Sequence, residues 1–463
     1  MADDPRGESP LGDSEDELRE MLKQFLEGNG ELDPSRLASA AGLPNNPEMV
    51  QKLIGQLQHA LQHSSDGIDW GLSLEQAKGI ATRTAIPSTP AERSSLEQAL
   101  HVASLWLDEA TDITALTVEP RLMSRAEWAQ ATMPIWTQMA EPVASSIADA
   151  LTEVLAEQLG DTDDESAGML QGAGQLMRNV GGTLFAMQLG QVVGQLSGEV
   201  VSGGDVGIPL LDGDQVQAAV VTQNVRDFGS GLDVPADQVA LYLSVRELAH
   251  ARLFRHAKWL RLHVLTQITD FAHGIHIDTS RLEELASGFD PSNPEELRQA
   301  MTSGALIPPK TEEQQAALGR LETMLALIEG WVDVVTAQAT TRLPKSDAIA
   351  EMVKRRRAAG GPAESAFSTL VGLELRPRRL REAAAMWQAV TDAVGSEGRD
   401  ALWAHPDILP GSSDIDDPGF LVTRLTSGEA PRDDHCGQRA HGDGEQHEPE
   451  LRVAHRNRAP HGR

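Results

Sequence analysis

The sequence predicts a mainly α-helical protein with a small β element. Aromatic residues make up only 4% of the 463 residues, and alanine, leucine, glutamate and glutamine, which favour helices, are abundant. Apolar residues recur at helical spacing along most of the chain. The best strand signal is the β-branched run from Val220 to Thr222, which has turn-forming residues on both sides. We therefore expect a short strand within a helical domain.

The composition divides the chain into three parts. Residues 1–90 are acidic, rich in glycine and proline, and contain short amphipathic pieces, which predicts a partly ordered extension. Residues 91–427 are predicted to form the helical domain, and Ser94 with Glu97 predicts a capping box near its start. Residues 428–463 are polar and lack periodicity, so they are predicted to be disordered.

Helices are predicted in order along the domain. Glycine recurs every four residues at Gly190, Gly194 and Gly198, and this spacing lines one helix face and permits close helix contact. Neighbouring glutamines favour a soluble packed helix over a membrane dimer. Further helices are predicted from about Pro235, over residues 311–343, and through "REAAAMWQAVTDAV".

Charge and cysteine content exclude several classes of function. A formal net charge of -30 argues against a nucleic acid or an anionic membrane as the main partner. The single cysteine, Cys436, excludes an intrachain disulfide and a cysteine-based zinc site. The chain has no signal-peptide pattern and no apolar run of about eighteen residues. These features predict a cytoplasmic protein.

The segment "VRELAH" differs by one residue from the zinc-protease signature H-E-x-x-H. In that signature two histidines one helical turn apart bind zinc and the glutamate activates water. Here Glu247 and His250 are in place, but the first ligand position holds Arg246. A guanidinium stays protonated and has no lone pair to offer, so a two-histidine site cannot form. Spacing alone leaves open that these are ordinary polar residues of an amphipathic helix.

A basic cluster, "KRRR", occupies residues 354–357 and is part of the only concentrated positive charge before the tail. Arginine side chains suit phosphate binding, which is one interpretation. The other is that these side chains pair with carboxylates of this acidic chain, and we favour it.

Several longer segments resemble the bacterial zincin-like metallopeptidase type 2 family over about residues 151–420. They are the glycine-rich helix before "DVGIPL", then "LYLSVRELAHARLF", "LALIEGWVDVV", "LVGLELRPRRLREAAAMW" and "GRDALWAHPDILP". The resemblance implies a zincin-like helical core and a metallopeptidase-like hydrolase. The family's branch associated with deazaflavin coenzyme biosynthesis has an intact H-E-x-x-H at this place, and E-G-H where this chain has "EGW".

The resemblance implies roles for individual residues. Glu247 would be the catalytic base, and His250 and Glu329 would be ligands of a zinc ion. Trp331 stands where the relative has histidine. We expect Trp331 and Arg246 to line the cleft or to take part in its salt bridge. The chain thus departs from the zinc pattern at two positions, and each change removes an imidazole.

Two functions follow from this pattern. The first is a zinc-dependent hydrolase with a degenerate R-E-x-x-H motif. The second is an inactive homologue without metal that binds a peptide or small molecule, in which Arg246 replaces the metal charge and pairs with Glu329 or Glu247. Within the second, a structural salt bridge and a pocket for an anionic or polar ligand are both open.

Overall fold

The computed structural model describes residues 68–159, 182–183, 185–211, 214, 216–274, 310–358, 362–373 and 379–427. Residues 1–67 of the predicted extension and the predicted tail over 428–463 lie outside these ranges. The described chain is mainly helical with one small sheet, which confirms the predicted fold class. In this part of the chain, no helix combines the length and the apolar character needed to cross a membrane.

The first group of elements leads to the central helix of the fold. It consists of α1 (Gly71–Arg83), α2 (Pro90–Ala110), β1 (Arg121–Met123), α3 (Arg125–Leu159), α4 (185–197), β2 (Ala219–Val221), α5 (Thr222–Gly229) and α6 (Ala236–His256).

The second group begins directly after α6. It consists of α7 (Lys258–His273), α8 (Glu312–Ala339), α9 (Ser346–Ala358), α10 (Pro362–Val371), α11 (Leu380–Ala401), a 3-10 turn (Pro406–Ile408), α12 (Ser412–Asp416) and α13 (Pro418–Ser427).

Helix starts follow local capping chemistry. The α2 helix begins at Pro90 because the Thr89 side chain accepts a hydrogen bond from the Glu92 amide while the Glu92 carboxylate accepts one from the Thr89 amide. The capping box predicted at Ser94 and Glu97 is therefore wrong, because the helix starts further upstream, where a proline can fill its first position. The α6 helix begins at Ala236, next to the predicted start.

The sheet has two parallel strands, with Leu122 of β1 opposite Val220 of β2. The strand prediction is confirmed for Val220 and Val221, whereas Thr222 already begins α5.

A second stretch of backbone lies along the other edge of β2. Ser202 forms an antiparallel bridge with Val220. The Gly203 amide donates to the Ala219 carbonyl, and the Val221 amide donates to the Val201 carbonyl, each at 2.9 Å. Both edges of β2 therefore carry hydrogen bonds.

Two buried helices form the centre of the domain. Every residue of α6 from Tyr242 to Leu253 is buried, and so is every residue of α8 from Leu325 to Thr336. The α6 helix packs against α2 and α8, and α8 packs against α11. A helix that is buried on all sides lies inside the core, where polar side chains need partners. The polar residues on α6 and α8 are therefore expected to pair with one another.

Close packing at the glycine-rich helix is confirmed. A Cβ atom added to Gly190 would lie 2.5 Å from the Ser73 carbonyl oxygen, and one added to Gly194 would lie 3.1 Å from the Ala77 Cα. Ser73 and Ala77 belong to α1, which falls within the predicted extension over 1–90. The extension thus contributes a helix to the packed core.

We expect Gly330→Ala to lower the free energy of unfolding by about 1–3 kcal/mol, as overpacking does in well-packed cores. A Cβ at Gly330 would lie 2.8 Å from backbone atoms of Ala383 and Ala384 on α11, so α8 and α11 would have to separate. The control is Gly319→Ala on the same helix, where nothing lies within 4 Å and alanine should stabilise by about 0.5–1 kcal/mol. Urea denaturation measures both, and equal effects would contradict this prediction.

Candidate functional site

The centre of α6 places three polar side chains in the core. Arg246 and His250 are one helical turn apart and share a face, and Glu247 follows Arg246 in sequence. Glu329 lies on α8, which packs against α6. Arg246 is 8% exposed and Glu329 is 1% exposed, so the charges of both are shielded from water.

Glu329 is shared by two arginines. Arg246 donates to its Oε2 atom in a very short contact, and Nη1 of Arg357, from α9, lies 2.6 Å from the same oxygen. Of the two carboxylates that the sequence offers as partners for Arg246, Glu329 is the one with which it pairs, and Glu247 is not. The two guanidinium groups hold the pKa of the Glu329 carboxyl below its usual value against the opposing effect of burial, which is the largest single influence. Glu329 is thus a carboxylate neutralised by two buried cations.

The basic cluster on α9 pairs with carboxylates of the chain, as favoured from the sequence. Besides the contact to Glu329, Arg357 donates to the Asp205 carbonyl at 3.0 Å. The other pairs are Lys354 with Asp333 at 2.9 Å, Arg355 with Glu351 at 2.8 Å and Arg356 with Asp205 at 3.0 Å. Ion pairs therefore hold helix α9 against the site.

Glu247 binds backbone rather than a cation. Its Oε2 atom accepts a hydrogen bond from the Gly204 amide at 2.8 Å, and its Oε1 atom accepts one from the Ala219 amide at 2.9 Å. Burial raises the pKa of the Glu247 carboxyl, and these backbone donors act in the opposite direction. The side chain joins β2 to the segment that follows α4.

His250 is a neutral buried imidazole. Burial lowers its pKa from 6.5 to about 4, and although Glu329 opposes this shift, the nearby Arg357 and Arg246 charges add to it. Among the described residues, its Nε2 atom has no hydrogen-bond partner. The ring therefore keeps one unused polar atom inside the protein.

The buried state of His250 predicts a loss of stability in acid. Its pKa in the folded protein is about 4 and its usual value is 6.5, so between these values the unfolded chain binds more protons than the folded one. The histidine contribution, about 3 kcal/mol, is complete above pH 6.5 and is lost as the pH falls towards 4. Urea denaturation across this range should show the loss in the native protein and not in His250→Gln. Parallel curves for the two proteins would contradict the assignment.

A glycine loop, residues 203–207, covers these side chains. A Cβ at Gly204 would lie 2.5 Å from the His250 Nδ1 atom, and one at Gly207 would lie 3.0 Å from the Glu329 Oε1 atom. Gly207 also has φ +84°, which favours glycine. Beneath the loop, the void between Arg246, Glu247, His250 and Glu329 is only about 10 Å³. That is about the least space that a single water molecule needs.

The family of the chain follows from a match that covers most of its length. The zincin-like metallopeptidase family matches residues 68–422, which is most of the chain. The chain belongs to the zincin-like metallopeptidase family. The predicted resemblance is therefore confirmed, and it extends further towards the N-terminus than residue 151, so that α1 is part of the family fold.

Among solved structures, the chain is similar to a "putative hydrolase with a novel fold" from Chloroflexus aurantiacus. The two share 19% identity with a TM-score of 0.52, over 78% of this chain and 99% of that one. At this identity the similarity supports the fold. No curated protein matches the chain.

The residues of this zincin-like site do not fit a zinc ion. Zinc sites use at least three protein ligands of the His, Asp, Glu or Cys type, and no such group of three occurs in the described ranges. His250 offers one free nitrogen, but the Glu329 carboxylate is already held by Arg246 and Arg357. A divalent cation placed beside two guanidinium groups would be repelled by both.

Trp331 does not line the cleft of this zincin-like protein, in contrast to the prediction. Two residues along a helix turn the side chain by about 200°, so Trp331 lies away from Glu329. It is fully buried, its indole N–H donates to Asp400 at 2.8 Å, and its ring meets that of Trp403 edge-on. Its role is to pack α8 against α11.

Sequence reasoning missed two contributors to the zincin-like site. In the sequence, Arg357 is one member of the basic cluster, and no pattern distinguishes Asp205. The available signal was the cluster itself in an acidic chain, together with the glycines that surround Asp205. Neither feature predicts that α9 contacts α8.

An open cleft borders the site on its other side. Its volume is about 430 Å³, and Glu247 and His250 form part of its wall. The glycine loop, the end of α6 and the beginning of α7 line it further. This zincin-like chain therefore keeps a ligand-sized cleft beside a closed site.

Proposed function

We propose that this chain is a metal-independent member of its family that binds a ligand in the cleft and does not hydrolyse one. The observation that supports this best is the position of the Arg246 guanidinium. It lies where the first histidine of the signature would lie, and it donates to Glu329, the carboxylate that would otherwise bind metal. Arg357 is a second cation on the same oxygen.

The arrangement supplies the charge of a metal ion without its chemistry. Two guanidinium groups can neutralise a buried carboxylate and hold α6, α8 and α9 together. They cannot act as a Lewis acid that lowers the pKa of a bound water, which is what zinc provides in a hydrolase. Glu247 would activate such a water, but both its oxygens already accept backbone hydrogen bonds.

Hydrolysis is the second candidate, and one observation favours it. Glu247 and His250 both line the open cleft, so a substrate there would contact the two motif residues that the chain has kept. In this case the Glu247 carboxylate would have to leave the Gly204 and Ala219 amides before it could accept a proton.

Metal analysis and a peptide-cleavage assay separate the two candidates. We expect the purified protein to contain zinc well below one ion per chain and to unfold at the same urea concentration with and without a chelator. A peptide library digested with the protein should give the same products as one digested with Glu247→Gln. Stoichiometric zinc together with cleavage that Glu247→Gln abolishes would overturn the proposal in favour of the hydrolase.

A further inference from the structure

The cleft beside His250 carries positive charge in an otherwise acidic protein. The chain has a formal net charge of -30, yet Arg255, Lys258 and Arg261 all line this one cavity. Clustered cations in a concave site focus an attractive potential on an anion. A cluster of cations is therefore unexpected in a chain with this excess of acidic residues.

Two of these three cationic side chains have no partner among the described residues. Within the described ranges, the side chains of Arg255 and Lys258 form neither a hydrogen bond nor an ion pair. Arg261 donates to the Leu211 carbonyl. The carboxylates in the wall are engaged elsewhere, since Glu247 binds two amides and Asp214 has another contact. The wall holds three cationic side chains and two carboxylates, so its formal charge is positive.

The rest of the wall is apolar or neutral. Ile208, Leu210, Leu211 and Phe254 line the cavity, and they would contact an aliphatic group. His250, which is 5% exposed, also lines it, and its Nε2 atom has no partner among the described residues. The cavity volume of about 430 Å³ suits a small molecule.

We propose that the cleft binds a small carboxylate with an aliphatic portion, whose carboxylate is held by Arg255 and Lys258 while the aliphatic portion packs on Phe254 and the leucines. A guanidinium pairs with a carboxylate through two parallel hydrogen bonds, and an ammonium adds a point charge. Such a carboxylate is favoured over inorganic phosphate because phosphate has no aliphatic part to contact Phe254 and the leucines.

Calorimetric titration with N-acetyl-leucine tests the proposal, with N-acetyl-leucinamide as the uncharged match and inorganic phosphate as the anion without an aliphatic part. We expect the acid to bind at least about tenfold more tightly than the amide and more tightly than phosphate. Arg255→Gln and Lys258→Gln should each weaken binding of the acid by about tenfold. Arg320→Gln removes an exposed arginine of α8 that does not line the cleft. This control should bind the acid as tightly as the native protein does.

Equal binding of the acid and the amide, tighter binding of phosphate, or no binding of the acid would overturn the proposal. So would an equal loss of binding in Arg320→Gln. The inference rests on the proposed function, so the titration is done in a chelator and repeated with zinc. Binding of the acid only with zinc would overturn metal independence and keep the cleft assignment. No binding by the folded protein either in chelator or with zinc would overturn the cleft assignment alone.

Discussion

Glu329→Gln should lower the free energy of unfolding by about 3–5 kcal/mol, the range found when one partner of a buried ion pair is removed. Arg246 and Arg357 both pair with this carboxylate, and their side chains are 10% and 13% exposed. The amide keeps the size of the carboxylate but removes its charge, so two buried guanidinium groups lose their shared counter-ion. Urea denaturation followed by circular dichroism measures the change.

The matched control for this substitution is Glu351→Gln. Glu351 also pairs with an arginine of α9, but the side chains of Arg355 and Glu351 are 72% and 47% exposed. Exposed ion pairs contribute about 0–1 kcal/mol, so the control should unfold close to the native protein. If Glu329→Gln cost as little as the control, the three-residue cluster would not hold α6, α8 and α9 together.

Zinc binding should appear in the double variant Arg246→His/Arg357→Gln. The first substitution restores the imidazole one turn before His250, and the second frees Glu329 from its remaining cation. Two histidines and a glutamate are a known zinc ligand set. At zinc concentrations of about one hundred times the dissociation constant, the metal should stabilise this variant by about 2.7 kcal/mol. Thermal unfolding with and without zinc measures this gain.

The control for this experiment is Arg246→His/Arg355→Gln, which removes an exposed arginine and leaves Arg357 on Glu329. It should gain far less from zinc than the first variant. Equal gains would show that Arg357 does not block the site. No gain in the first variant, provided that it folds, would show that α6 and α8 do not present the three side chains to one point.

Much of the fold could be predicted because helices of this chain have local signals. Periodicity placed α6 within a residue of its start at Ala236 and α8 within its predicted span. The strand ends at Val221, before the end of the β-branched run, since Thr222 can begin a helix as easily as it ends a strand. The start of α2 was misplaced because Ser94 and Glu97 repeat the pattern that Thr89 and Glu92 already satisfy.

The site was predictable where chemistry left few choices. Arg246 cannot bind metal and needs a carboxylate when buried, and the family resemblance pointed to Glu329, which is its partner. The contribution of Arg357 could not be predicted, because it depends on how α9 crosses α8, and no local pattern encodes that crossing. Trp331 corresponds to a histidine of a relative, but the rotation of α8 between positions 329 and 331 turns its side chain away from the cleft.

The hydrogen bonds along β2 restrict how a ligand can bind beside this strand. Many proteins hold an extended peptide by adding it as a further strand to a sheet edge, through main-chain bonds that read no side chain. On β2 one edge is paired with β1, and on the other the Glu247 carboxylate and the backbone of residues 201–203 take the donors and acceptors that such a peptide would need. Residues 201–203 thus occupy the position that a bound peptide strand would take. A ligand beside β2 must be selected through contacts with side chains, which makes recognition depend on its chemical groups and not on its being a polypeptide.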